Sequence, residues 1–263
     1  MRPLAEFPVA GRSAIRYVLT DVDDTLTHAG RLSAETYGAL ARLQRAGIKV
    51  MPVTAASAGW CDLIARMWPV DAVIGENGGL CFSAGDASGA MRRYYWSSDA
   101  ERREHNERLT AIGKRICRLV PHAALSPDQH YRETTLALAD GDGVLPDRAA
   151  VESMLRVLDD AGAQTTVNSM WVLGWLGGFD KLAMTQRMMR ELFAIDVAIL
   201  EDAVLYVGDS LNDEPMFRFF VNSVGVSTVR RFLDRLRSPP RWVTRGPGGV
   251  GFVEVAKVLL AAR

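Results

Sequence analysis

Three aspartates stand within four residues directly after an apolar run near the start of the chain. The run Tyr17–Thr20 is short and continuous, which predicts a buried strand, and Asp21, Asp23 and Asp24 follow it. Carboxylates this close repel one another, and a fold tolerates their burial where a cation or a basic side chain offsets the charge. The fold must therefore bring counter-charges to the end of this strand, as a metal-dependent catalytic site does.

Strand-like and helix-like segments alternate in the first and last parts of the chain. The predicted strands are 16–20, 48–53, 70–74, 203–207 and 223–226, and the predicted helices are 33–46, 58–67, 180–193 and a final one from about Phe252. The glycine-rich segment 246–251 is predicted to be a loop. Such alternation is typical of an α/β fold whose parallel sheet carries helices on both faces.

The middle of the chain has a different pattern. An aromatic strand at 92–96, a charged helix at 99–119, a strand at 134–139, a helix at 146–161 and one or two strands within 164–174 predict a smaller α+β module. We therefore predict a catalytic core of residues 1–80 and 179–263, interrupted by an insert of residues 81–178. Glycine pairs at 78–79 and 177–178 are predicted to act as hinges of this insert.

Composition excludes several classes of protein. Lys plus Arg and Asp plus Glu both number 31, so the net charge of +0 argues against binding nucleic acid or a membrane surface through bulk charge. The three cysteines are far apart, which suggests neither a disulfide framework nor a zinc site. Segment 1–13 lacks the apolar core of a signal peptide, and no apolar run approaches the roughly 18 residues of a membrane span. A cytoplasmic enzyme is expected, with its oligomeric state left open.

Polar residues follow three of the predicted strands. They are Asp21–Thr25, Thr54 and Asp209–Asp213, while Lys181 begins a helix. Ligands bind beyond the carboxyl ends of parallel strands, so these groups are expected to converge on one crevice. The set suits phosphoryl transfer: one carboxylate attacks phosphorus, a second moves a proton, and Mg²⁺, lysine and backbone amides hold the anionic oxygens.

On these segments the chain resembles a phosphatase of the haloacid dehalogenase (HAD) superfamily. Asp21-Val22-Asp23-Asp24-Thr25 is similar to the first motif of that family, Val53-Thr54 to the second, Lys181 to the third and residues 208–213 to the fourth. The motifs occur in the family's order. One departure is the run Ala55-Ala56-Ser57, where many relatives have glycine and then arginine or a small polar residue. The resemblance implies a Rossmann-like HAD core with an inserted α/β cap.

The resemblance also implies a role for each motif residue. It makes Asp21 the nucleophile and Asp23 the general acid and base, and it pairs Lys181 with Asp21 and with phosphate. The implied phosphate ligands are Thr54, the Ala55 amide and Asn212. The implied Mg²⁺ site consists of Asp21, Asp23, Asp209 and Asp213. In that set Asp23 offers its backbone carbonyl, and Asp213 lies at the metal or behind it.

The position of the insert, between the second and third motifs, resembles subfamily IIB, which includes Cof-type and sucrose-phosphate phosphatases. That resemblance implies a small phosphorylated substrate, such as a sugar phosphate or a phosphorylated glycoside. Two other functions stay open: a phosphosugar mutase of the same family, and a binding protein that kept the scaffold without catalysis.

Several residues stay without a firm assignment. Asp24 is predicted to be a turn or cap carboxylate, His28 is left unassigned, and Glu76 and Asn77 fit an ordinary turn and a functional segment equally well. Aromatic residues of the middle region are candidates for stacking on a sugar, although sheet packing explains them as well: Tyr94, Tyr95, Trp96, Trp171 and Trp175. Polar candidates for gripping a substrate are Arg92, Arg93, Arg132, Asn168 and Ser169.

Overall fold

The computed structural model describes residues 1–84, 90–168, 170–196 and 201–263. The strands in these residues are β1 (Arg2–Pro3), β2 (Tyr17–Thr20), β3 (Thr27–His28), β4 (Arg31–Leu32), β5 (Lys49–Pro52), β6 (Val73–Gly75), β7 (Leu80–Ser83), β8 (Arg92–Tyr95), β9 (Ala123–Leu125), β10 (Thr135–Asp140), β11 (Gln164–Val167), β12 (Val172–Trp175), β13 (Val204–Gly208), β14 (Asn222–Gly225) and β15 (Trp242–Val243). The helices are α1 (Val9–Ala14), α2 (Ala34–Arg45), α3 (Ala58–Met67), α4 (Asp99–Leu119), α5 (Arg148–Asp160), α6 (Lys181–Phe193), α7 (Glu214–Phe219) and α8 (Gly248–Leu260).

The main sheet has six strands in the order β1-β15-β14-β13-β2-β5, and all its pairs are parallel. Strand β2 lies between β13 and β5, and its Thr20 pairs with Val207 of β13 and with Pro52 of β5. Their carboxyl ends therefore reach the same edge of the sheet. The predicted α/β fold with a Rossmann-like parallel sheet is confirmed.

Helices cover both faces of this sheet because its strands are apolar on both sides. Val18 packs into a cluster with α2, α3 and α8, whereas the next residue, Leu19, packs into a second cluster with α6 and α7. Successive side chains of a strand point to opposite faces, so one strand contributes side chains to two hydrophobic clusters. This arrangement holds the carboxyl ends of β2 and β13 rigidly in the middle of the domain.

A second sheet has four antiparallel strands in the order β11-β12-β10-β9. Leu136 and Leu138 on one face pack beneath α4 and α5. Ala137 and Leu173 on the opposite face pack with Ala55, which lies at the edge of the main sheet. The open face of this smaller sheet is thus turned toward the carboxyl edge of the parallel strands.

A third sheet, β6-β7-β8, is antiparallel and belongs spatially to the core. Leu80 and Phe82 of β7 are buried in the α2–α3–α8 cluster, and Tyr94 of β8 packs against the α6–α7 cluster. Strands β7 and β8 lie within residues 80–95, and the sequence assigned all of these residues except Leu80 to the insert. We therefore propose that the insert begins after Trp96 instead of at residue 81.

The last helix starts earlier than the sequence indicated. Helix α8 begins at Gly248, within the segment predicted as a loop, instead of at Phe252. Its first turns lie so close to α2 and to the segment after β2 that a Cβ at Gly249 would be 2.6 Å from the Leu26 carbonyl oxygen and would overlap the Thr36 hydroxyl. The prediction was wrong because tertiary packing requires glycine here, in spite of its low helix propensity.

Gly249→Ala is expected to lower the free energy of unfolding by about 1–3 kcal/mol, because the added methyl group has no space between α8 and the Leu26 carbonyl. Gly141→Ala is the matched control, since nothing lies within 4 Å of a Cβ at that position. Its effect should stay within about 0.5 kcal/mol. Urea denaturation of both variants measures the difference, and equal midpoints would contradict the packing argument.

Candidate active site

A buried ion cluster lies at the carboxyl edge of the main sheet. The Lys181 ammonium is 2.7 Å from Asp21 Oδ1 and 3.1 Å from Asp213 Oδ1, and all three residues are buried. Asp21 directly follows β2, Asp213 lies in the turn after β13, and Lys181 opens α6, whose N-cap is Asp180. Residues 160 positions apart in the chain therefore meet at one point.

Asp213 is held by four donors. Its Oδ1 accepts hydrogen bonds from Lys181 and from the Tyr206 hydroxyl at 2.6 Å, and its Oδ2 accepts from the backbone amides of Asp209 at 2.9 Å and Ser210 at 3.2 Å. Both oxygens are thus occupied by protein groups. Through the two amides, Asp213 fixes the loop that carries Asp209.

Three carboxylates approach closely enough to share a cation. One oxygen each from Asp21, Asp209 and Asp213 lie within 4.8 Å of one another. Burial, together with the neighbouring carboxylates, raises the pKa of Asp21 to about 7, against the opposing effect of Lys181, and raises the pKa of Asp209 to about 9. Carboxylate oxygens are the ligands that Mg²⁺ prefers, and a cation here would offset the cost of burying these carboxylates beside one another. The donor set therefore fits the expected magnesium ion.

Asp23 lines the same cavity as Asp21. Burial and then the nearby Asp24 raise the pKa of Asp23, and Lys181 and Arg132 oppose the shift. A carboxyl group with a raised pKa holds its proton more readily, which suits a general acid. Asp24 has a left-handed backbone (φ 55°), and its amide bonds to the Thr27 hydroxyl at 3.1 Å, as expected of a turn residue.

Two of the predicted phosphate ligands, Ala55 and Asn212, line the same cavity as Asp21, whereas Thr54 is fully buried and is not part of that lining. The Thr54 hydroxyl accepts a hydrogen bond from the Ala56 amide at 3.0 Å. The Ala55 amide has no hydrogen-bond partner among the described residues. Asn212 accepts from the Ser210 hydroxyl at 2.8 Å through Oδ1, and its amide nitrogen is likewise left to donate. The motif residues are thus brought together, and their catalytic roles stay predictions.

A cavity of about 400 Å³ opens above the carboxylates, and we call it the main cavity. The core contributes the carboxylates, Ala55 and Asn212, while Leu145, Val167 and Asn168 come from the insert. Exposed basic groups stand at its rim: His28, Arg231 and Arg235.

Glu76 is a structural residue whose importance the sequence left open. Its side chain is fully buried and accepts hydrogen bonds at 2.8–3.0 Å from the Ala58, Glu133 and Thr134 amides and from the Thr134 and Thr135 hydroxyls. The first donor belongs to the start of α3, and the others belong to the insert. One carboxylate therefore joins the segment beside Thr54 to the insert.

The polar residues proposed to grip a substrate lie in different places in the structure. Arg132 is buried, pairs with Asp128 and donates to the Ala55 carbonyl at 3.1 Å, so it braces the segment after Thr54 instead of reaching the cavity. Arg93 bonds to Asp62 on the core surface. Arg92 lies on β8, and Ser169 lies outside the described residues. Asn168 lines the main cavity.

Most of the aromatic candidates are packing residues. Tyr94, Tyr95 and Trp96 pack against the core clusters, and Trp175 is buried beside Phe179. Trp171, by contrast, lines a cavity beside the main cavity.

The sequence matches no family model and no curated protein. Solved structures resemble nearly the whole chain. A Thermoplasma acidophilum protein is 20% identical, the match covering 94% of this chain and 98% of that one, with a TM-score of 0.71. A protein described as a HAD/Cof-like hydrolase from Plasmodium vivax is 14% identical over 97% of this chain and 100% of that one, with a TM-score of 0.69.

The sucrose-phosphatase of Synechocystis, solved in complex with sucrose and phosphate, is 13% identical over 92% of this chain and 97% of that one, with a TM-score of 0.64. The chain has the HAD fold. In this HAD fold the four motif segments meet at the carboxyl edge of the main sheet, around Asp21 and Lys181. No helix within the described residues is long and apolar enough to cross a membrane.

Glu76→Gln is expected to lower the free energy of unfolding by about 1–3 kcal/mol. The substitution replaces one carboxylate oxygen with an amide NH₂ group, which is a donor. That group faces buried donors such as the Thr134 amide and hydroxyl, which then lose their acceptor. Glu104→Gln is the matched control, because Glu104 is exposed on α4. Thermal and urea unfolding test the pair, and a stability of Glu76→Gln equal to that of the control would contradict the role of Glu76.

Proposed function

We propose that the protein is a Mg²⁺-dependent phosphatase that hydrolyses the monoester of a small phosphorylated metabolite through an aspartyl phosphate on Asp21. The observation that carries the proposal is the contact of Lys181 with Asp21 Oδ1 at 2.7 Å, which leaves Asp21 Oδ2 for attack at the base of the main cavity. The HAD fold, which hydrolases such as the Plasmodium vivax protein share, supports it.

In the first half of the reaction, Asp21 attacks phosphorus and the bond from phosphorus to the ester oxygen breaks. Asp23 gives its proton to that oxygen, and the alcohol leaves. The pKa of Asp23 is raised by burial, so the group is suited to hold this proton. Lys181 orients Asp21 and keeps a positive charge beside it, because Asp21 and Asp213 raise its pKa against the opposing effect of burial.

In the second half, Asp23 takes a proton from water while the water oxygen attacks the same phosphorus. The bond to Asp21 breaks, phosphate leaves, and Asp23 is again protonated. The Thr54 hydroxyl, the Ala55 amide and the Asn212 amide are the donors for the phosphoryl oxygens in both halves.

Asp209, Asp21 and the Asp23 carbonyl would hold the metal, with Asp213 behind them. When bound, Mg²⁺ screens the anionic nucleophile from the anionic phosphate and stabilises charge on the phosphoryl oxygens. We propose a sugar phosphate or a phosphorylated glycoside as substrate, with the solved sucrose-phosphatase as structural support.

Neutral net charge supports a small-molecule partner over nucleic acid or membrane, and the free cysteines suit a reducing, cytoplasmic setting.

Asp21→Asn is expected to reduce phosphate release by at least about 10³-fold, because it removes the nucleophile. Asp24→Asn is the matched control, since Asp24 is a neighbouring carboxylate that we place in the turn; its loss should cost less than about 10-fold. A screen of phosphorylated metabolites with Mg²⁺ supplies the substrate. Full activity of Asp21→Asn would overturn the mechanism, and isomer formation without phosphate release would favour the mutase alternative.

Mg²⁺ is expected to stabilise the wild-type protein by about 2.7 kcal/mol at a concentration a hundredfold above its Kd. Asp209→Asn should abolish this shift, because the Asp209 carboxylate belongs to the acidic cluster and Asp213 is already occupied by protein donors. Asp142→Asn, in an exposed loop, is the control and should keep the shift. Thermal unfolding with and without Mg²⁺ measures the effect, and a wild-type protein indifferent to Mg²⁺ would favour the non-catalytic alternative.

A further inference from the structure

A second cavity of about 240 Å³ adjoins the main cavity, and we call it the aromatic chamber. The two cavities share three residues: Asp23, Ala55 and Asn168. Apolar side chains supply most of the remaining wall: Val22, Leu32, Trp60, Ile64, Trp68, Met170 and Trp171. The chamber therefore lies beside the proposed proton donor, and its chemistry differs from that of the carboxylate cluster.

The tryptophans come from both sides of the chamber. Trp60 lies on α3 and Trp68 directly follows that helix, whereas Trp171 comes from the turn before β12 in the insert. The Trp171 indole N–H points to the Gly143 carbonyl at 3.4 Å, and the Arg132 guanidinium lies 5.3 Å from the ring centroid. Arg132 is itself fixed by two hydrogen bonds to Asp128, at 3.2 and 3.0 Å. The ring is thus held in place before any ligand binds.

Asn168 provides a polar group at the junction of the two cavities. Its Oδ1 accepts hydrogen bonds from the Met170 and Trp171 amides at 2.9 and 2.7 Å, which fixes the side chain. Its Nδ2 has no partner among the described residues. A fixed donor beside an aromatic wall is the usual arrangement of a small-molecule site, where apolar contact gives affinity and a few polar groups give orientation.

The proposed mechanism indicates which part of a substrate would enter the aromatic chamber. Asp23 must lie next to the ester oxygen to protonate it, and the alcohol extends from that oxygen away from phosphorus. Because Asp23 lines both cavities, the chamber is the apolar space that an alcohol bonded at this oxygen can enter. A tryptophan face attracts flat rings, either aromatic ones or the C–H face of a sugar.

We propose that the aromatic chamber binds the leaving group, and that the preferred substrates are phosphate monoesters whose alcohol carries a ring with a flat apolar face. The inference rests on the proposed phosphatase function and names its substrate class. Trp171 and Trp60 contact this ring, and Asn168 donates to one of its polar substituents. A short acyclic alcohol, by contrast, leaves the chamber unfilled.

The test compares kcat/KM of the full-length protein with Mg²⁺ for 2-naphthyl phosphate, glucose 6-phosphate and glycerol 1-phosphate. We expect at least one of the two ring esters to exceed glycerol 1-phosphate by about 10-fold or more, which is what one good apolar contact supplies. The aryl and sugar arms distinguish the two kinds of ring. Trp171→Ala should reduce the ratio of the better ring ester to glycerol 1-phosphate by about 10-fold, mainly through KM.

Trp60→Ala is a second variant, because Trp60 is 55% exposed and its removal does not disturb a core. It should lower the same ratio. Met67→Ala is the matched control from the same helix, since Met67 is 66% exposed and does not line the chamber; its ratio should equal that of the wild type.

Wild-type hydrolysis of all three esters without ring preference, or an unchanged ratio in both tryptophan variants, would overturn this inference and leave the phosphatase function intact. A ratio lowered only by Arg235→Ala would place the leaving group at the basic rim of the main cavity and would also overturn it. Absence of hydrolysis of any ester by the wild type would count against the proposed function itself.

Discussion

The contact of Lys181 with Asp21 and Asp213 is the interaction on which the site depends. Burying an ammonium group is costly, and these carboxylates at 2.7 and 3.1 Å offset that cost. The lysine opens α6, so the chain must return to the edge of the main sheet after the insert. One ammonium group faces three carboxyl groups, those of Asp21, Asp209 and Asp213, and their oxygens make the same place suitable for a divalent cation.

Local patterns in the sequence were sufficient for the parallel sheet and for the convergence of the motif residues. Apolar runs define β2 and β13, and the polar groups that follow them must share an edge once the strands are parallel neighbours. The start of α8 and the pairing of β8 with β7 were not predictable in this way. Both depend on partners distant in sequence, such as Leu26 beside Gly249, which no local pattern reveals.

Local sequence patterns were also insufficient to predict the aromatic chamber. Trp171 stood among five aromatic candidates, but only the folded arrangement separates it from Trp175, which packs in the core. Trp60 and Trp68 carry no motif, and helix amphipathicity alone does not mark them as cavity residues. The proposed phosphate chemistry depends on local motifs of the core, whereas the proposed choice of alcohol depends on surfaces that two distant segments complete together.

The fully buried Glu76 carboxylate places a condition on how such a chain can be re-engineered. It takes one hydrogen bond from Ala58 of the core, and the remaining ones come from Glu133, Thr134 and Thr135 of the insert. A transplanted insert with a different alcohol specificity must carry equivalent donors at its base, since a buried carboxylate without them is strongly destabilising. The hydrogen bonds of Glu76 therefore limit which inserts can be joined to this core.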